Sequence, residues 1–596
     1  MVDTCQAFLQ ERRSEALNAV KAELETCSAF TPVAIRDAPA LLKDCAVVWR
    51  KAIRVLEIER FVYVGLPPDF PDEVPKACLA DWKDLYLRNP HVGASGFICT
   101  IPDSAAVDSN DPAGLVRRVF EDADQILRGT GATDFQNEFS SYWDHSVTDR
   151  DHPVHIIDPI EQLTNPFPVI FCEQATCVAA SVGKINRWIS NRTGKPSELK
   201  NEQLGIKIHL DRPLIPGEYP STLPQLISLA ESYNRSATDL LKKHIATQTG
   251  KGLALLVQTE GDGVALGGIV FEGLRLSTLN FPELTHGFRP GKVPVEFLIK
   301  RASKLVAASP VTRKIVTRAD HHWIHSRGGD GRDLSGKSVL LIGCGSLGGY
   351  VAHLLSRAGV GRLTLTDNDR LDWDNLGRHV LGASSMGHWK AEALAEKLLR
   401  ELPHLDVKGI RTDWRDALAF NPNLFAEHDL VISTTGDWRC ERPLNELTRA
   451  TRMPPVLFGW LEPYGVAGHC LGVVANGGCF RCGTNRFGQF MYSVAEYSKA
   501  PLSIEPGGCT QYQHYGPTAL LSIASMIASI VVESLLMPPP ASFLATWLST
   551  EDHFKATQAT ISNPWRSEVE TLGYSRVSRK SWQSSDSCTV CRALKS

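Results

Sequence analysis

Apolar residues follow distinct spacings along this chain, and each spacing predicts a kind of element. They recur every three or four residues, between charges, over residues 9–27 and again over 115–127, which predicts two amphipathic helices. Val, Ile and Phe are dense over 46–64, as is typical of strands. The chain is then interrupted by Pro67, Pro68, Pro71 and Pro75. Residues 1–150 are therefore expected to form one α/β domain.

The pattern is weaker from residue 151 to about 309. Two apolar segments, 253–257 and 264–271, flank Gly261-Asp262-Gly263 and predict a β-hairpin. Residues 224–247 have helical spacing, with Pro224 in the first turn. We expect residues 151–315 to form a linker domain, whose type the sequence does not identify.

A sharper pattern begins at Lys337. Residues 338–342 are a short apolar segment that runs into the glycine-rich turn 343–349 and then into a helical stretch that ends near residue 358. A second apolar segment, 362–366, ends at Asp367. Strand, glycine turn, helix and strand in this order predict the beginning of a doubly wound parallel sheet. The expected fold is therefore α/β multidomain, with a Rossmann-like domain over residues 316–596.

Composition narrows the classes of function. The 596 residues are 43% hydrophobic and 22% charged, and the net charge of -3 gives no reason to expect nucleic acid or an anionic membrane as a partner. No apolar run approaches the roughly 20 residues that cross a bilayer, and the longest, 519–536, predicts a buried helix. The N-terminus has no basic region followed by an apolar one, so we expect a cytoplasmic location. There the 15 cysteines are expected to be thiols, metal ligands or nucleophiles rather than disulfides.

Three glycines, Gly343, Gly345 and Gly348, predict a phosphate site. They let the backbone approach a phosphate at a helix N-terminus, where free N–H groups and the helix dipole favour negative charge. Dinucleotide dehydrogenases use the same loop with an acid about 20 residues later, a spacing that Asp367 fits. These two features alone favour NAD over ATP.

Four further polar residues reverse that preference: Asn375, Arg378, Lys390 and Asp437. A hydride transferase does not need an arginine, a lysine and a second acid around its nucleotide. An adenylating enzyme does, because it neutralises a triphosphate, holds Mg²⁺ and stabilises the charge that moves onto pyrophosphate. Taken singly, Arg378 and Lys390 also fit surface charges, and Asp437 fits a helix cap.

On these motifs, residues 337–591 resemble the ThiF/MoeB/ubiquitin-activating family. The resemblance implies that Asp367 binds the ribose, that Asp437 is associated with magnesium, and that the phosphates contact Asn375, Arg378 and Lys390. It also implies a homodimer, and an arginine before the glycine loop that the dimer partner sometimes supplies. Arg318 and Arg327 are equal candidates for that arginine.

Five cysteines in this domain have an expected role. Cys509 follows two glycines and precedes a helix expected near Pro517; in the family this loop carries the cysteine whose thiolate attacks the acyl-adenylate. The alternative is a small buried cysteine. The other four form two Cys-x-x-Cys pairs that suit tetrahedral, structural zinc, an arrangement that MoeB-like enzymes share, or else are reduced thiols without a metal: Cys479, Cys482, Cys588 and Cys591.

The N-terminal domain resembles a ubiquitin-conjugating fold. The resemblance lies in FVYVGLPPDFP at 61–71, NPHV at 89–92 and GFIC at 96–99, and it implies that Cys99 is the active thiol. The family's oxyanion-stabilising asparagine is replaced by His91, whose ring N–H can also donate to an oxyanion, while Asn89 lies two residues earlier. The alternative is a core cysteine in a degenerate domain.

An activating domain fused behind a conjugating domain resembles bacterial ubiquitin-transferase-like proteins encoded beside CD-NTases, the cGAS-like enzymes of CBASS anti-phage operons. Residues 134–139 and 142–143 also resemble that family. The resemblance implies that the C-terminal carboxylate of the CD-NTase is adenylated, passed to Cys509, then to Cys99, and then to an amine on a target protein. Joining two thiols in one chain raises their effective concentration. The alternatives are sulfur-carrier activation, a nucleotide-sensing scaffold and an NAD dehydrogenase.

Overall fold

The structure is a computed structural model that describes residues 2–55, 57–101, 110–129, 138–260, 263–278, 282–289, 292–328, 331–451, 453–475, 477–498, 502–504 and 511–592. These residues group into two compact units. The first comprises residues 1–155, 163–180 and 201–317, and the second comprises 156–162, 181–200 and 318–596. The domain boundaries expected at residues 150 and 315 stay a prediction.

An antiparallel sheet of five strands in sequence order forms the N-terminal part of the first unit. The helix Pro112–Arg128 packs on it through a buried stripe that includes Val116, Val119 and Phe120, as the apolar spacing predicts. A second helix, Val2–Leu24, packs against the first. The strands are β1 (Phe30–Val33), β2 (Val47–Val55), β3 (Ile58–Leu66), β4 (Lys76–Leu79) and β5 (Phe97–Ile98).

The middle of the chain forms an eight-stranded mixed sheet in the order β12-β11-β10-β9-β7-β8-β6-β13. The predicted hairpin is confirmed as β10 and β11. The helix predicted over 224–247 is in fact two helices, Leu223–Tyr233 and Arg235–Thr247, because Asn234 leaves the helical conformation and its side chain caps the second helix. The strands are β6 (Val154–Ile156), β7 (Phe167–Phe171), β8 (Thr176–Val178), β9 (Gln203–His209), β10 (Lys251–Glu260), β11 (Gly263–Glu272), β12 (Thr312–Lys314) and β13 (Val316–Arg318).

A short helix, Phe139–Ser146, joins the two sheets of the first unit. Phe139 and Trp143 are fully buried in the core of the eight-stranded sheet. The indole N–H of Trp143 donates to the Lys314 carbonyl oxygen at 2.9 Å, which satisfies its one polar atom. The helix is thus anchored by its aromatic side chains. Among the described residues, the other α-helices of this unit are Pro282–Thr285, Val295–Arg301 and Ser303–Ala308.

The second unit is built on another eight-stranded sheet, in the order β16-β15-β14-β17-β18-β19-β23-β25. The first five strands are parallel, and their order is that of a Rossmann-like sheet in which the order reverses between β14 and β17. The last three strands extend the sheet antiparallel. The strands of the sheet are β14 (Ser338–Ile342), β15 (Arg362–Thr366), β16 (Asp406–Ile410), β17 (Leu430–Ser433), β18 (Val456–Leu461), β19 (Ala467–Val473), β23 (Phe543–Leu548) and β25 (Arg576–Ser581).

Two small ribbons complete the strands: β20 (Ala495–Tyr497) pairs with β24 (Ala559–Ile561), and β21 (Leu502–Ile504) pairs with β22 (Gln511–Gln513). The helices around the large sheet are Val182–Thr193, His321–Gly328, Ser346–Arg357, Trp373–Leu376, Lys390–Glu401, Trp414–Phe420, Trp438–Ala450, Pro517–Leu536, Glu551–Ala556, Asn563–Leu572 and Thr589–Arg592.

The helix Pro517–Leu536 is long and apolar enough to span a membrane by length and composition, in contrast to the expectation that no apolar run approaches the length needed to cross a bilayer. Of its most apolar 18-residue window, 67% is buried within the protein, so the predicted buried helix is confirmed. Ile523, Ile527 and Val531 are fully buried and belong to the main core of the unit. Its burial is that of a core helix.

The helix Val182–Thr193 belongs to the second unit although its sequence lies between segments of the first. It packs on the helix Lys390–Glu401. Arg187 forms an ion pair with Asp406 at 2.5 Å, and the Asn191 side chain donates to the Pro403 carbonyl oxygen at 2.9 Å. A segment of the middle sequence thereby becomes part of the second unit.

Candidate functional site

The glycine loop after β14 uses its three glycines in three ways. Gly343 has a φ of +90°, a left-handed conformation that favours glycine. A Cβ at Gly348 would lie 1.9 Å from the Gly343 carbonyl oxygen, so this position lets the helix Ser346–Arg357 pack against the loop. A Cβ at Gly345 would meet no described atom within 4 Å. The open side of the loop at Gly345 is where a phosphate can approach the backbone.

A cavity of about 690 Å³ lies beside this loop. It is at the carboxyl ends of the parallel strands, where the strand order reverses and where such sheets bind ligands. Five residues expected around the nucleotide line it: Gly343, Gly345, Asp367, Lys390 and Asp437.

Asp367 follows β15 and is held by the backbone. Its carboxylate oxygens accept hydrogen bonds from the N–H groups of Cys344 at 2.6 Å and Asp369 at 2.8 Å. Burial raises the pKa of Asp367. Asp367 thus links the glycine loop to the next turn, and its role at the ribose stays a prediction.

Lys390 brings a cation to the cavity. It is 7% exposed, its backbone N–H donates to the Asp369 carbonyl oxygen at 3.0 Å, and its ammonium group forms an ion pair with the Asp369 carboxylate. Asp369 itself is largely exposed, so an incoming phosphate competes with it for the lysine. The surface-charge alternative does not describe Lys390.

Asp437 both caps a helix and lines the cavity. Its carboxylate accepts from the backbone N–H of Arg439 at 2.9 Å, as an N-cap of the helix Trp438–Ala450 does. The Arg439 guanidinium pairs with the same carboxylate at 2.9 Å and lowers the pKa of Asp437. The carboxylate is therefore ionised at neutral pH, the form that a magnesium ion needs.

The four paired cysteines come together within one buried core cluster of the second unit. Their sulfur atoms are 3.9 Å apart within the first pair, and 3.7 and 3.6 Å apart between the pairs. Zinc–sulfur bonds of about 2.3 Å in a tetrahedron place the sulfurs about 3.8 Å apart. All four are buried, and the Ser585 N–H donates to one sulfur at 3.4 Å. The members are Cys479, Cys482, Cys588 and Cys591.

Cys99 is exposed and follows β5 directly. Its backbone N–H donates to the His91 carbonyl oxygen at 3.1 Å, and the Gly93 N–H donates to the Phe97 carbonyl oxygen at 2.8 Å. Residues 91–93 and 97–99 thus form a tight antiparallel pair in which His91 lies opposite Cys99.

The backbone of His91 is held from outside its own sheet. His91 has a φ of 62°, and its N–H donates to the Tyr142 hydroxyl at 2.8 Å. The Tyr86 hydroxyl donates to the His145 carbonyl oxygen at 2.6 Å. The helix Phe139–Ser146 therefore supports the loop opposite Cys99. The sequence does not reveal this support, because the hydrogen bond spans 51 residues.

Two family profiles match the chain. The ThiF family matches residues 324–567, and prokaryotic E2 family B matches residues 47–150. The chain is a fusion of an E2-like domain with a ThiF domain. The α/β multidomain fold expected from the sequence is confirmed.

Three relatives show the range of the resemblance. The ATP-dependent ubiquitin transferase-like protein Cap2 of Pseudomonas aeruginosa is 26% identical over 473 residues, 74% of each chain. Cap2 of Escherichia coli is 25% identical over 404 residues, 63% of this chain and 66% of that one. The molybdopterin-synthase adenylyltransferase of E. coli is 33% identical over 172 residues, 28% of this chain and 67% of that one. The chain is a ubiquitin-activating and conjugating-like transferase.

Two residues expected at the phosphates have other contacts. Asn375 and Arg378 are not among the described residues that line the cavity. The Asn375 side chain accepts from the Asp372 N–H at 3.3 Å in a helix cap. The Arg378 guanidinium lies 5.3 Å from the centre of the Tyr515 ring, and its buried Nε has no hydrogen-bond partner among described atoms. Their phosphate roles stay predictions.

The candidate arginines before the glycine loop share one aromatic neighbour. The guanidinium groups of Arg318 and Arg327 lie 5.0 and 4.6 Å from the centre of the Trp323 ring. Arg318 also pairs with Asp320 at 2.8 Å. Neither arginine is among the described residues that line the cavity, so the choice between them stays open.

Cys509 lies outside the described residues, as do residues 134–137 of the segment that resembles CBASS proteins. The strands on either side of this cysteine in the sequence, β21 and β22, pair with each other, and the apolar helix expected near Pro517 begins at Pro517.

Asn89 is described and is buried, and its side chain donates to the Leu127 carbonyl oxygen at 3.1 Å. Asn89 therefore makes a hydrogen bond within the core, and His91 is the residue whose backbone pairs with Cys99.

The sequence patterns did not indicate one buried acid beside the cavity, Glu441. Glu441 accepts hydrogen bonds from Ser433, Thr435 and the Gly436 N–H at 3.2–3.3 Å. Burial raises the pKa of Glu441 to about 8. Its place on the buried face of the helix Trp438–Ala450, three residues before Leu444, is the signal that could have found it.

Proposed function

We propose that this transferase activates the C-terminal carboxylate of a protein with Mg-ATP and conjugates it to an amine through two thioesters. The observation that carries the proposal is the cavity in which the glycine loop, Asp367, Lys390 and Asp437 converge. Asp367 would bind the ribose, and Lys390 would exchange Asp369 for a phosphate. Asp437 would hold Mg²⁺, which supplies positive charge to the phosphates.

The first step transfers an adenylyl group, and each later step transfers the acyl group. A carboxylate oxygen attacks the α-phosphorus of ATP, and pyrophosphate leaves with the electrons of the broken P–O bond. The Cys509 thiolate attacks the acyl carbon and AMP leaves. The Cys99 thiolate then displaces the Cys509 thiolate. Finally an amine attacks the Cys99 thioester, loses a proton and releases the thiolate, with His91 as the proposed oxyanion donor.

The proposed substrate is a CD-NTase, and the proposed role is anti-phage defence in the cytoplasm. The transferase is proposed to act as a homodimer, with neither nucleic acid nor membrane as a partner. Support comes from the Cap2 relatives, which match both halves of the chain, and from the fused E2-like domain. Chemical cross-linking and light scattering measure the dimer. A CD-NTase that lacks its last residues is the control substrate, because its new C-terminal carboxylate does not follow the residues that the site would recognise.

Variants of the two thiols test the relay. With ATP and the protein substrate, Cys509→Ala is expected to retain pyrophosphate exchange and lose the thioester. Cys99→Ala is expected to retain the first thioester and lose the amide product. Cys27→Ala is the matched control, since Cys27 is the other exposed cysteine among the described residues. Normal conjugation by Cys99→Ala, measured by intact mass, contradicts the two-thiol relay.

A second candidate function is sulfur-carrier activation. The similarity to molybdopterin-synthase adenylyltransferase over 172 residues favours it for the ThiF domain, although the E2-like domain has no part in it. The two functions differ in product: a thiocarboxylate at the substrate's C-terminus supports the carrier reading, and an amide to a lysine supports conjugation. Mass spectrometry of the substrate separates them.

Zinc is proposed at the four cysteines, which it would cross-link without an open position for substrate. The sulfur separations of 3.6–3.9 Å support this. Cys482→Ser is expected to lower the zinc content by one ion per chain, whereas Cys470→Ser, a buried cysteine outside the cluster, is expected to leave it unchanged.

A further inference from the structure

Three histidines gather in the second unit away from the nucleotide cavity. His321 and His325 are on the helix His321–Gly328, and His404 is in the turn after the helix Lys390–Glu401. One ring nitrogen from each lies within 4.8 Å of the others. The adenylation chemistry described above makes no use of them.

The backbone positions these rings. His321 and His325 are four residues apart, and residues at this spacing lie on one face of a helix. The turn that carries His404 is fixed by Leu402 and Leu405, which are 5% and 1% exposed. The Asn191 side chain holds the carbonyl of Pro403 at 2.9 Å. Two separate elements thus present their histidines to one point.

Backbone carbonyls determine which nitrogen of two rings is available. His321 Nε2 is 3.0 Å from the Gly359 carbonyl oxygen, and His325 Nδ1 is 3.2 Å from the Arg357 carbonyl oxygen. A carbonyl oxygen only accepts, so these nitrogens carry the protons. In neutral rings, Nδ1 of His321 and Nε2 of His325 then hold lone pairs. Histidines that bind metals almost always donate their other N–H in this way.

The spacing of the nitrogens also fits a metal. His325 Nε2 and His404 Nε2 are 3.0 Å apart. Metal–nitrogen bonds of about 2.0–2.1 Å in a tetrahedron place the nitrogens about 3.3–3.4 Å apart, a few tenths of an ångström more.

We propose that His321, His325 and His404 together bind one divalent transition-metal ion of the zinc class. Imidazole nitrogens suit Zn²⁺, Ni²⁺ and Cu²⁺ and are poor ligands for Mg²⁺ or Ca²⁺. Three protein ligands leave the fourth position to water or another exchangeable ligand. The rings are half-buried, so an ion reaches them from solvent. The ion joins the helix that precedes the glycine-loop strand to the turn after the helix Lys390–Glu401.

The test is zinc binding by the full-length chain, made without a histidine tag and dialysed against buffered Zn²⁺. Wild type is expected to hold one zinc more per chain than His325→Ala or His404→Ala. Zinc binding at this site is expected to be at least about tenfold weaker in each variant, because a loss of this size already follows when only the hydrogen-bond partner of a ligand is removed. Zinc at the four cysteines is common to all variants, so the difference isolates the histidine site.

His322→Ala is the matched control, because His322 is an exposed neighbour on the same helix outside the cluster. It is expected to bind zinc like wild type. Added Co²⁺ is expected to give wild type visible d–d bands beyond those of Co²⁺ at the four cysteines, and these additional bands are expected to disappear in His325→Ala. Melting curves in chelator show whether each variant is folded, and His404→Gln replaces any variant that is not. Equal zinc content and equal Co²⁺ spectra in wild type, His325→Ala and His404→Gln overturn the proposal and leave a hydrogen-bonded histidine cluster.

Discussion

Alanine substitutions at two glycines of one loop are expected to separate stability from nucleotide binding. At Gly345 the backbone has φ -69° and ψ -161°, which any residue adopts, and an added Cβ meets no atom of the described chain within 4 Å. Gly345→Ala is therefore expected to leave the free energy of unfolding unchanged or to raise it by about 0.4–1 kcal/mol, since alanine restricts the unfolded chain. The same methyl group stands where the phosphate approaches, so ATP binding is expected to be lost.

At Gly348 the outcome is reversed. The added Cβ would lie 1.9 Å from the Gly343 carbonyl oxygen and 2.4 Å from the Thr434 hydroxyl oxygen, so the backbone of the loop must move. Overpacking of this kind costs about 1–3 kcal/mol, and the better helix propensity of alanine returns about 1 kcal/mol. Gly348→Ala is therefore expected to be destabilised by up to about 2 kcal/mol, with a melting temperature lower by about 2–4 °C per kcal/mol.

The assays are thermal melting of each variant and titration calorimetry with Mg-ATP. Gly345→Ala is the informative variant, because its fold is expected to be intact when its binding is measured. ATP binding by Gly345→Ala with the affinity of wild type refutes the assignment of the glycine loop as the phosphate site. A melting temperature of Gly348→Ala equal to that of wild type refutes the packing role of that glycine.

Three other substitutions test the rest of the structure. The pKa of Glu441 is about 8 in the fold and 4.5 ordinarily, so between these values the folded chain keeps a proton that the unfolded chain releases. The free energy of unfolding, measured in urea, is therefore expected to fall from pH 4.5 to pH 8 by at most about 1.4 kcal/mol per pH unit. Glu441→Gln is expected to abolish this slope. Asn89→Ala leaves the buried Leu127 carbonyl unsatisfied and is expected to cost about 1–3 kcal/mol in urea unfolding; no cost means that water reaches this carbonyl. Tyr142→Phe removes the acceptor of the His91 N–H and is expected to slow acyl transfer from Cys99 with little change in its loading; equal single-turnover rates contradict a supporting role.

Local signals in the sequence predicted the elements that depend on neighbours in the chain. The glycine loop, Asp367 and the hairpin of β10 and β11 are of this kind, because each is determined by a few consecutive residues. The two Cys-x-x-Cys pairs lie 109 residues apart, yet their spacing marks them as partners. The helix over 224–247 was predicted without its break, since Asn234 acts through a cap that hydrophobic spacing does not register.

Contacts between distant residues could not be predicted in this way. Asp369 was visible beside Asp367, but its pairing with Lys390 depends on how a later helix begins. Tyr142 supports His91 only because the aromatic residues of its helix are buried in a different sheet. Glu441 occupies a position whose helical spacing is that of a core residue, although its side chain is an acid. Only the fold shows the three hydrogen-bond donors around its carboxyl group.

The interleaving of the two units has a consequence for how the chain is made. The helix Val182–Thr193 leaves the ribosome long before the residues that complete its unit, since Asp406 follows Arg187 by 219 residues. At about 5–20 residues per second, this interval lasts roughly 10–45 s. During that time Ile185 and Trp188, which the finished unit buries, are exposed to chaperones and to other nascent chains. A ribosome stalled near residue 317 therefore carries an incomplete second unit in the middle of its product, and no single cut in the chain separates the two units cleanly.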